Sequence, residues 1–502
     1  MIYLADGEQM RNIDRQAMAE YAVPGLLLME AASSFAARIA LEVFRPQGPV
    51  VVVAGGGNNG GDGWGAARHL AAAGRSVKVV TSVDPAELQG DAAAQFALYQ
   101  GYGLPWEMYR GREQFAHCAL ILDALLGTGV KGAPRGQAAE IIAAINSAPA
   151  PVLAVDIPSG LPAGCLPAAG EVVQAEATAT FGLAKAGLYT PAGRRAAGTV
   201  FVDAIGLPPQ LLADTGLVLN DAANAARGLP RRPPDSHKGS FGHGLLVAGS
   251  RGMAGAAILA GNSALRSGIG LLTIACPHPL NATIQGSLWE ALSLPLPSTE
   301  AGTFAPEAAQ DLDLEKYSAA AIGPGCRVCP GTAALAERLI RSPLPLVLDA
   351  DALNTLAPGI PVRDYPTVIS PHPGEMARLL ACNTEDILAN PLDTCRRAAR
   401  QWGCTVILKG ASSYISDPRG NAAVNITGTH GLATGGSGDI LTGLLLGLLA
   451  QGAEPFAAAC TATWLLGTAS ELAETASLAS QLPRDVLAQI GLALARLEAV
   501  ST

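Results

Sequence analysis

A chain of 502 residues is too long for one ordinary core, so two domains are expected, and 49% hydrophobic with only 15% charged residues is the composition of an alanine-rich globular protein. A net charge of −9 and a pI near 5.4 leave no basic excess to neutralise a nucleic-acid backbone, which excludes a nucleic-acid binder. Mean hydropathy is +0.28, yet the longest apolar run, Ile440 to Ala450, falls short of the roughly 20 residues of a spanning helix, so no membrane partner is expected. The start, Met1-Ile-Tyr-Leu-Ala-Asp-Gly-Glu8, lacks a basic segment followed by an apolar core, so no signal peptide is read and a cytoplasmic location follows. Nine dispersed cysteines suit reduced thiols, and Cys326-Arg-Val-Cys329, with no second pair nearby, reads as loop thiols.

In chain order, residues 6 to 44 read as two helices broken at Val23-Pro24-Gly25, the second of them core, with Glu30 a solvated charge. The run Pro49-Val-Val-Val-Val-Ala54 predicts a buried parallel strand, Gly55 to Gly63 a glycine loop, Trp64 to Ala73 a helix and Ser76 to Ser82 the next strand. A loop at the carboxyl end of a strand in a βαβ unit is the usual ligand crevice of open α/β sheets. Gly55, Gly57 and Gly60 satisfy G-x-G-x-x-G, but the second strand ends Val79-Val-Thr-Ser82 without the acid that a dinucleotide fingerprint needs, and no Gly-Lys-Ser/Thr closes a Walker sequence. Asn58, Asn59 and Asp62 add ligand-reading groups to that loop. Two further strands repeat the logic: Ala119 to Ala124 carries Asp123 and is followed by the glycines 127, 129 and 132, and Val152 to Val155 is followed by Asp156 and Ser159. Each aspartate alone could be a turn residue or helix cap; three at one sheet edge favour a site.

Asn58-Asn-Gly-Gly-Asp62, Asp123 with Gly127-Thr-Gly-Val-Lys-Gly-Ala133, and Val155-Asp-Ile-Pro-Ser-Gly160 resemble the motifs of the NAD(P)H-hydrate epimerases. That resemblance implies a Rossmann-like three-layer α/β domain over residues 1–215, interconverting the R and S hydrates of NADH and NADPH (NADHX and NADPHX), in which water has been added to the nicotinamide ring. It implies further that Asn58, Asn59, Gly60, Gly61 and Asp62, together with Gly127, Thr128, Gly129, Val130, Lys131, Gly132 and Ala133, hold the hydrate. Asp156 would contact it as acid or base, and Asn59, Asp123 and Ser159 would ligate potassium. Oxygen ligands suit a hard cation, and epimerising a hemiaminal carbon needs a proton donor and acceptor at the hydroxyl.

Prolines from Leu207-Pro-Pro209 to Arg232-Pro-Pro234 mark a linker, with the boundary near residues 213 to 222. Strands then recur before small-residue loops: Gly244 to Ser250, with a helix starting at Met253; Ala319 to Ile322 before Gly323-Pro-Gly325; Pro345 to Leu348 before two acids; Thr367 to Ser370 before Pro371-His-Pro-Gly-Glu375; and Thr405 to Leu408 before Lys409. Alternating strands and helices predict a second, mostly parallel α/β domain. His372, between two prolines, is held rigidly, as a loop histidine or a functional one; Lys409 could meet a nucleotide phosphate. Arg396, Arg397 and Arg400 read as a solvated helix face, and Trp464 as packing. Gly435-Gly-Ser-Gly-Asp439 is a glycine turn feeding the apolar helix from Ile440, a cradle for phosphate with a carboxylate beside it to take a proton from an attacking hydroxyl. The alternative is an N-cap aspartate.

Together His237-Lys-Gly239, Gly323-Pro-Gly325, Pro371-His-Pro-Gly-Glu375, Lys409-Gly410 and Gly435 to Asp439 resemble the ADP-dependent NAD(P)H-hydrate dehydratases, a ribokinase-like family. The resemblance implies a dehydratase domain over 222–502, with Ala256, Gly325, His372 and Asp439 on the S hydrate. It implies that Lys409, Gly410, Ala411, Ser412, Ser413 and Gly438 hold the adenine nucleotide, with Asp439 catalytic. ADP as co-substrate, magnesium on its phosphates and a homo-oligomer are implied with it. Two other readings of the residues stand beside these: a kinase for a small hydroxymethyl vitamin precursor, and a nucleotide-sensing binding protein without turnover.

Overall fold

The computed structural model describes residues 1–129, 132–473 and 477–501, and the chain divides into two compact units, Tyr3–Leu217 and Val218–Thr502, the latter joined by Met1–Ile2. The first unit carries a seven-stranded sheet in the order Trp106–Met108, Val77–Thr81, Val50–Ala54, Leu120–Ala124, Val152–Val155, Ala177–Phe181, Thr199–Asp203. Every adjacent pair in it is parallel. Parallel strands buried on both faces need apolar residues at every position, and Val50 to Ala54 are all buried. Val50 and Val52 join the core shared with Met10, Phe35 and Trp64, whereas Val51 and Val53 join the core on the opposite face with Ile141 and Ile145. The result is three layers, with the sheet order reversing direction between Val50–Ala54 and Leu120–Ala124, where open sheets bind ligands at the carboxyl ends of their strands.

The helix after the first strand differs from expectation. It spans Asn58–Ala72, so Asn58 to Asp62 form its first turn rather than a loop, capped by Gly57. The reason is close packing: a Cβ on Gly60 would lie 1.9 Å from the Gly55 carbonyl oxygen, and one on Gly63 2.6 Å from Ala124 Cβ. These glycines let the helix press onto the strand ends, and only Gly57 faces open space. The segment before it is as predicted: helix Gly25–Ile39 follows Pro24 and ends in a single π-turn, Ala40–Phe44. Glu30 is not simply solvated, since it pairs with Arg68 and His69 and accepts from Gln95 at 3.0 Å.

The second unit has a parallel run of strands in the order Leu292–Leu296, Leu271–Pro277, His243–Val247, Ala319–Ile322, Leu346–Leu348, Thr367–Ile369, Thr405–Leu408, extended by the antiparallel Ser413–Ser416 and Ala422–Asn425. Helix Ser437–Ala450 is buried from Ile440 to Ala450 and packs on helix Ala254–Arg266. Two glycines allow the approach: a Cβ on Gly443 would sit 2.0 Å from the Ala260 carbonyl oxygen, and one on Gly447 1.8 Å from Ser267 Oγ. No helix among the described residues is long and apolar enough to cross a membrane. Trp464 is buried in helix Pro455–Leu472, Arg397 and Arg400 are exposed on helix Pro391–Trp402, and Cys326 and Cys329 are free thiols.

Candidate functional site

In the first unit the ends of the first, fourth and fifth of the strands in chain order open on one cavity of about 710 Å³, lined by the helix turn Asn58, Asn59 and Asp62, by Gly127 to Gly129, and by Asp156. The three segments singled out from sequence therefore meet. Val130 and Lys131 lie outside the described residues; Gly132 and Ala133 follow them at the surface end of the same segment. Gly60 and Gly61 are buried in helix packing, Gly61 against Met29, so their part is to bring the helix N-terminus to the cavity.

Asp156 follows strand Val152–Val155 with φ of +67°, an unusual backbone angle for a residue with a side chain, of the kind that clusters at functional sites. Its Oδ1 accepts from Thr180 Oγ1 at 3.1 Å, from the Phe181 amide at 3.3 Å, and from Lys185 Nζ. Lys185 is 2% exposed and spends its remaining protons on Thr180 Oγ1 and the Phe181 carbonyl, at 3.1 and 2.7 Å. All three ammonium donors are thus used inside the protein. Among the described residues the other Asp156 oxygen takes no hydrogen bond, so one oxygen is anchored and one is left for a ligand. Asp62 and Asp14 line the same cavity. Burial pushes the Asp62 carboxyl well above the usual carboxylate range, with Asp156 adding and Lys185 opposing; Asp14 is also raised, by burial first.

Behind this surface, Asp123 is fully buried. Its Oδ1 accepts from Ser159 Oγ at 2.6 Å and the Leu125 amide at 3.3 Å, and its Oδ2 from the Ser159 amide at 2.8 Å. Burial raises its pKa to about 6 against these bonds. Asn59 donates to the Leu126 carbonyl at 3.0 Å, while its Oδ1 is buried without a partner among the described residues. Asn59 Oδ1 and the buried Asp123 and Ser159 oxygens are hard oxygen donors.

In the second unit the predicted residues gather where the parallel strands end. Ser250 Oγ donates to the Gly325 carbonyl at 2.7 Å. Gly325 has φ of +62°, and a Cβ there would come within 3.0 Å of the Ala256 Cβ, so the two small residues sit face to face. His372 is neither a loop residue nor free: it caps helix Pro373–Leu380, its Nδ1 accepting from the Gly374 and Glu375 amides at 3.0 and 3.2 Å, while its side chain stays 52% exposed. With Nδ1 an acceptor, the ring proton resides on Nε2, 3.5 Å from Glu375 Oε1. Gly410 to Ser413 connect strand Thr405–Leu408 to strand Ser413–Ser416, with Gly410 and Ala411 exposed.

Gly436, at φ +109°, is the cap of helix Ser437–Ala450, so Asp439 is in the first turn and the N-cap reading does not hold. Burial raises the Asp439 carboxyl to about 6, with Asp349 adding, Lys409 opposing and Asp351 adding. Lys409 Nζ donates to Asp349 Oδ1 at 3.0 Å and lies 3.8 Å from Glu375. Burial works against its charge, but Asp349, Glu375 and Asp439 hold its pKa above the usual lysine value. A Cβ on Gly438 would stand 3.5 Å from Lys409 Nζ, so these two expected nucleotide contacts adjoin. The arrangement offers helix-start amides, a cation and a carboxylate of raised basicity, which is what moving a proton during phosphoryl transfer requires.

Sequence reading missed Lys185, Thr180 and Asp14 in the first unit and Thr442 in the second. Lys185 left a signal, as the one charge in the run Ala177-Thr-Ala-Thr-Phe-Gly-Leu-Ala-Lys-Ala-Gly187; Asp14 left none, being one of several polar residues on an amphipathic helix.

Comparison with known proteins bears on both units. Residues 25–187 match the family described as the YjeF-related protein N-terminus, and residues 244–491 match NAD(P)H-hydrate dehydratase. The chain is 38% identical to the bifunctional NAD(P)H-hydrate repair enzyme Nnr of Moorella thermoacetica, covering 94% of this chain and 92% of the relative. It is 36% identical to that of Salinibacter ruber, covering 92% and 90%. Among solved structures, the ADP/ATP-dependent NAD(P)H-hydrate dehydratase from Bacillus subtilis, co-crystallised with ATP and Mg²⁺, aligns with a TM-score of 0.52 at 32% identity over 57% of this chain and 100% of its own. The α/β architecture is accordingly Rossmann-like in the first unit and ribokinase-like in the second. On full-length similarity to these relatives, the chain belongs to the family of bifunctional NAD(P)H-hydrate repair enzymes.

Proposed function

We propose that the first unit epimerises the R and S hydrates of NADH and NADPH, and that the second dehydrates the S hydrate while converting ADP to AMP and phosphate. The observation that carries the second half is the Asp439 carboxyl in the opening turn of a glycine-capped helix, its basicity raised and Lys409 beside it. A ring hydroxyl is a poor leaving group at neutral pH. Asp439 takes its proton as the oxygen attacks the terminal phosphoryl of ADP, and the amides of Gly435 to Gly438 meet the charge in flight. The phosphate ester then departs, driven by the ring nitrogen lone pair, and loss of the adjacent ring proton restores the reduced nicotinamide. Ala256, Gly325 and His372 face the hydrate in this reading, and Lys409 to Ser413 with Gly438 hold the nucleotide. Magnesium would enter on the nucleotide phosphates, where it neutralises charge.

In the first unit Asp156, one oxygen anchored by Lys185, serves as the acid or base at the hydroxyl-bearing carbon, and Asn58, Asn59 and Asp62 with Gly127 to Gly129 surround the hydrate. Asn59, Asp123 and Ser159 supply oxygen donors that fit potassium, the partnerless Asn59 Oδ1 among them. A bound cation there would draw the helix start and the Leu125–Gly129 segment together.

The test supplies the full chain with a mixture of R and S NADPH hydrates, ADP and magnesium, and follows reduced-nicotinamide absorbance together with AMP. Recovery of both isomers is expected. Recovery of the S fraction alone would remove the epimerase assignment, and a stable phosphorylated product would replace the dehydratase assignment with a kinase.

A further inference from the structure

Asp349 follows strand Leu346–Leu348 and is 1% exposed, a carboxylate almost wholly withdrawn from water. A buried acid needs partners on its oxygens. Oδ1 accepts from Lys409 Nζ at 3.0 Å and Oδ2 from Thr442 Oγ1 at 2.7 Å. Lys409 leaves strand Thr405–Leu408, and Thr442 stands three residues beyond Asp439, on the same face of helix Ser437–Ala450. One carboxylate therefore ties a strand end to the helix that carries the base.

The backbone around Asp349 is built at a cost. Ala350 adopts φ +50° and ψ −120°, a combination that favours glycine, and a Cβ on Gly323 would lie 1.8 Å from the Asp349 carbonyl oxygen. Strain of this kind persists only where surrounding packing enforces it, and it clusters at functional sites. Here it turns the chain sharply from strand into helix Asp351–Leu356 and leaves Asp349 aimed at Lys409 and Thr442.

We propose that Asp349 is a positioning residue for dehydration, whose carboxylate anchors Lys409 and Thr442 and thereby sets the orientation of Asp439 and the charge around it. The inference rests on the dehydratase reading of this unit. The charged groups bearing on Asp439 are Asp349, Lys409 and Asp351, and Glu375 reaches Lys409 from helix Pro373–Leu380. While Asp349 is ionised, it repels charge on Asp439 and keeps the Lys409 ammonium engaged. Removing that charge withdraws the repulsion and frees Lys409 to pair with Asp439; both effects make Asp439 a weaker base.

The test measures kcat and KM for dehydration against pH in the full chain for the wild type, Asp349→Asn and Thr442→Val, with thermal denaturation of the same preparations as the control for folding. Asp349→Asn keeps the shape but loses the charge: kcat at neutral pH is expected to fall about tenfold or more, with the acid limb moving down by at least about half a pH unit. KM for the hydrate should change by less than about threefold, since Asp349 is not placed against substrate. Thr442→Val keeps the charge and loses one bond, so kcat falls several-fold, roughly, while the limb stays at its wild-type pH. An unmoved limb in an Asp349→Asn chain that still folds would overturn the inference alone. If Asp349→Asn does not fold, wild-type kcat in Thr442→Val would do the same. A wild-type chain that epimerises but never dehydrates would overturn the reading of the unit and the inference with it.

Discussion

Asp439 and Asp156 are both carboxylates at the carboxyl edge of a parallel sheet, yet their surroundings prepare them differently. Asp439 is raised to about 6 by burial and by Asp349, still below neutral pH, which leaves it mostly ionised there while making it a stronger base than an exposed aspartate. Asp439→Asn is expected to lower dehydration about a thousandfold and leave epimerisation untouched, as single-turnover assays on pure S hydrate and on R hydrate will show. Because the base must be ionised, wild-type dehydration should be flat above pH 7 and lose about tenfold per unit below the Asp439 value of about 6. Asp156 instead has a buried lysine on one oxygen. Lys185→Met leaves that carboxylate without its cation, and epimerisation should fall about a hundredfold while the S hydrate is still dehydrated at the wild-type rate. A lowered denaturation midpoint of the first unit would point to unfolding instead. At this scale the acids were legible in the sequence, because Asp156 follows an apolar strand run and Asp439 stands between a glycine turn and an apolar helix run. Thr442 was not, and Lys185 only as the lone charge of an apolar run, since whether a lone polar side chain meets a partner depends on elements far away in the chain.

Helix Asn58–Ala72 shows how an element can be misread through its glycines. In sequence, Gly55 to Gly63 looks like a loop, because glycine weakens helices by about 1 kcal/mol per residue. Packing overrides that propensity here, since Gly60 and Gly63 touch the strand ends at distances that admit no side chain. Gly60→Ala should therefore destabilise the first unit by at least ~2 kcal/mol, even though alanine is the better helix former. A denaturation midpoint at or above that of the wild type would refute the packing account. The same geometry governs helices Ala254–Arg266 and Ser437–Ala450, where Gly443 meets the Ala260 carbonyl. The parallel strands that lead into the candidate site residues, by contrast, were legible almost to the residue, whereas Trp106–Met108, Ala177–Phe181, Thr199–Asp203, Leu271–Pro277 and Leu292–Leu296 were not read from sequence. A short unbroken run of valine, leucine and isoleucine between turn residues can bury every side chain only where both faces of a sheet are covered.

At the scale of the whole molecule, each compact unit has its own run of parallel strands and its own cluster of candidate groups at their ends. Residues 218–502 expressed alone are therefore expected to dehydrate S hydrate with ADP, with kcat within about threefold of the full chain; failure to fold would show that the second core needs the first. Sequence alone determined the two α/β domains, the strand ends that carry the candidate acids, and the resemblance that names the chemistry. It could do so because hydrophobic periodicity, glycine and aspartate are local signals. Only the tertiary structure decided that Asn58 to Asp62 are helical, that His372 is a cap, and that Lys185 and Lys409 pair with the carboxylates of Asp156 and Asp349. Those outcomes turn on how closely distant segments approach and on which charge each buried group finds, and both are set by packing that no single stretch of chain contains.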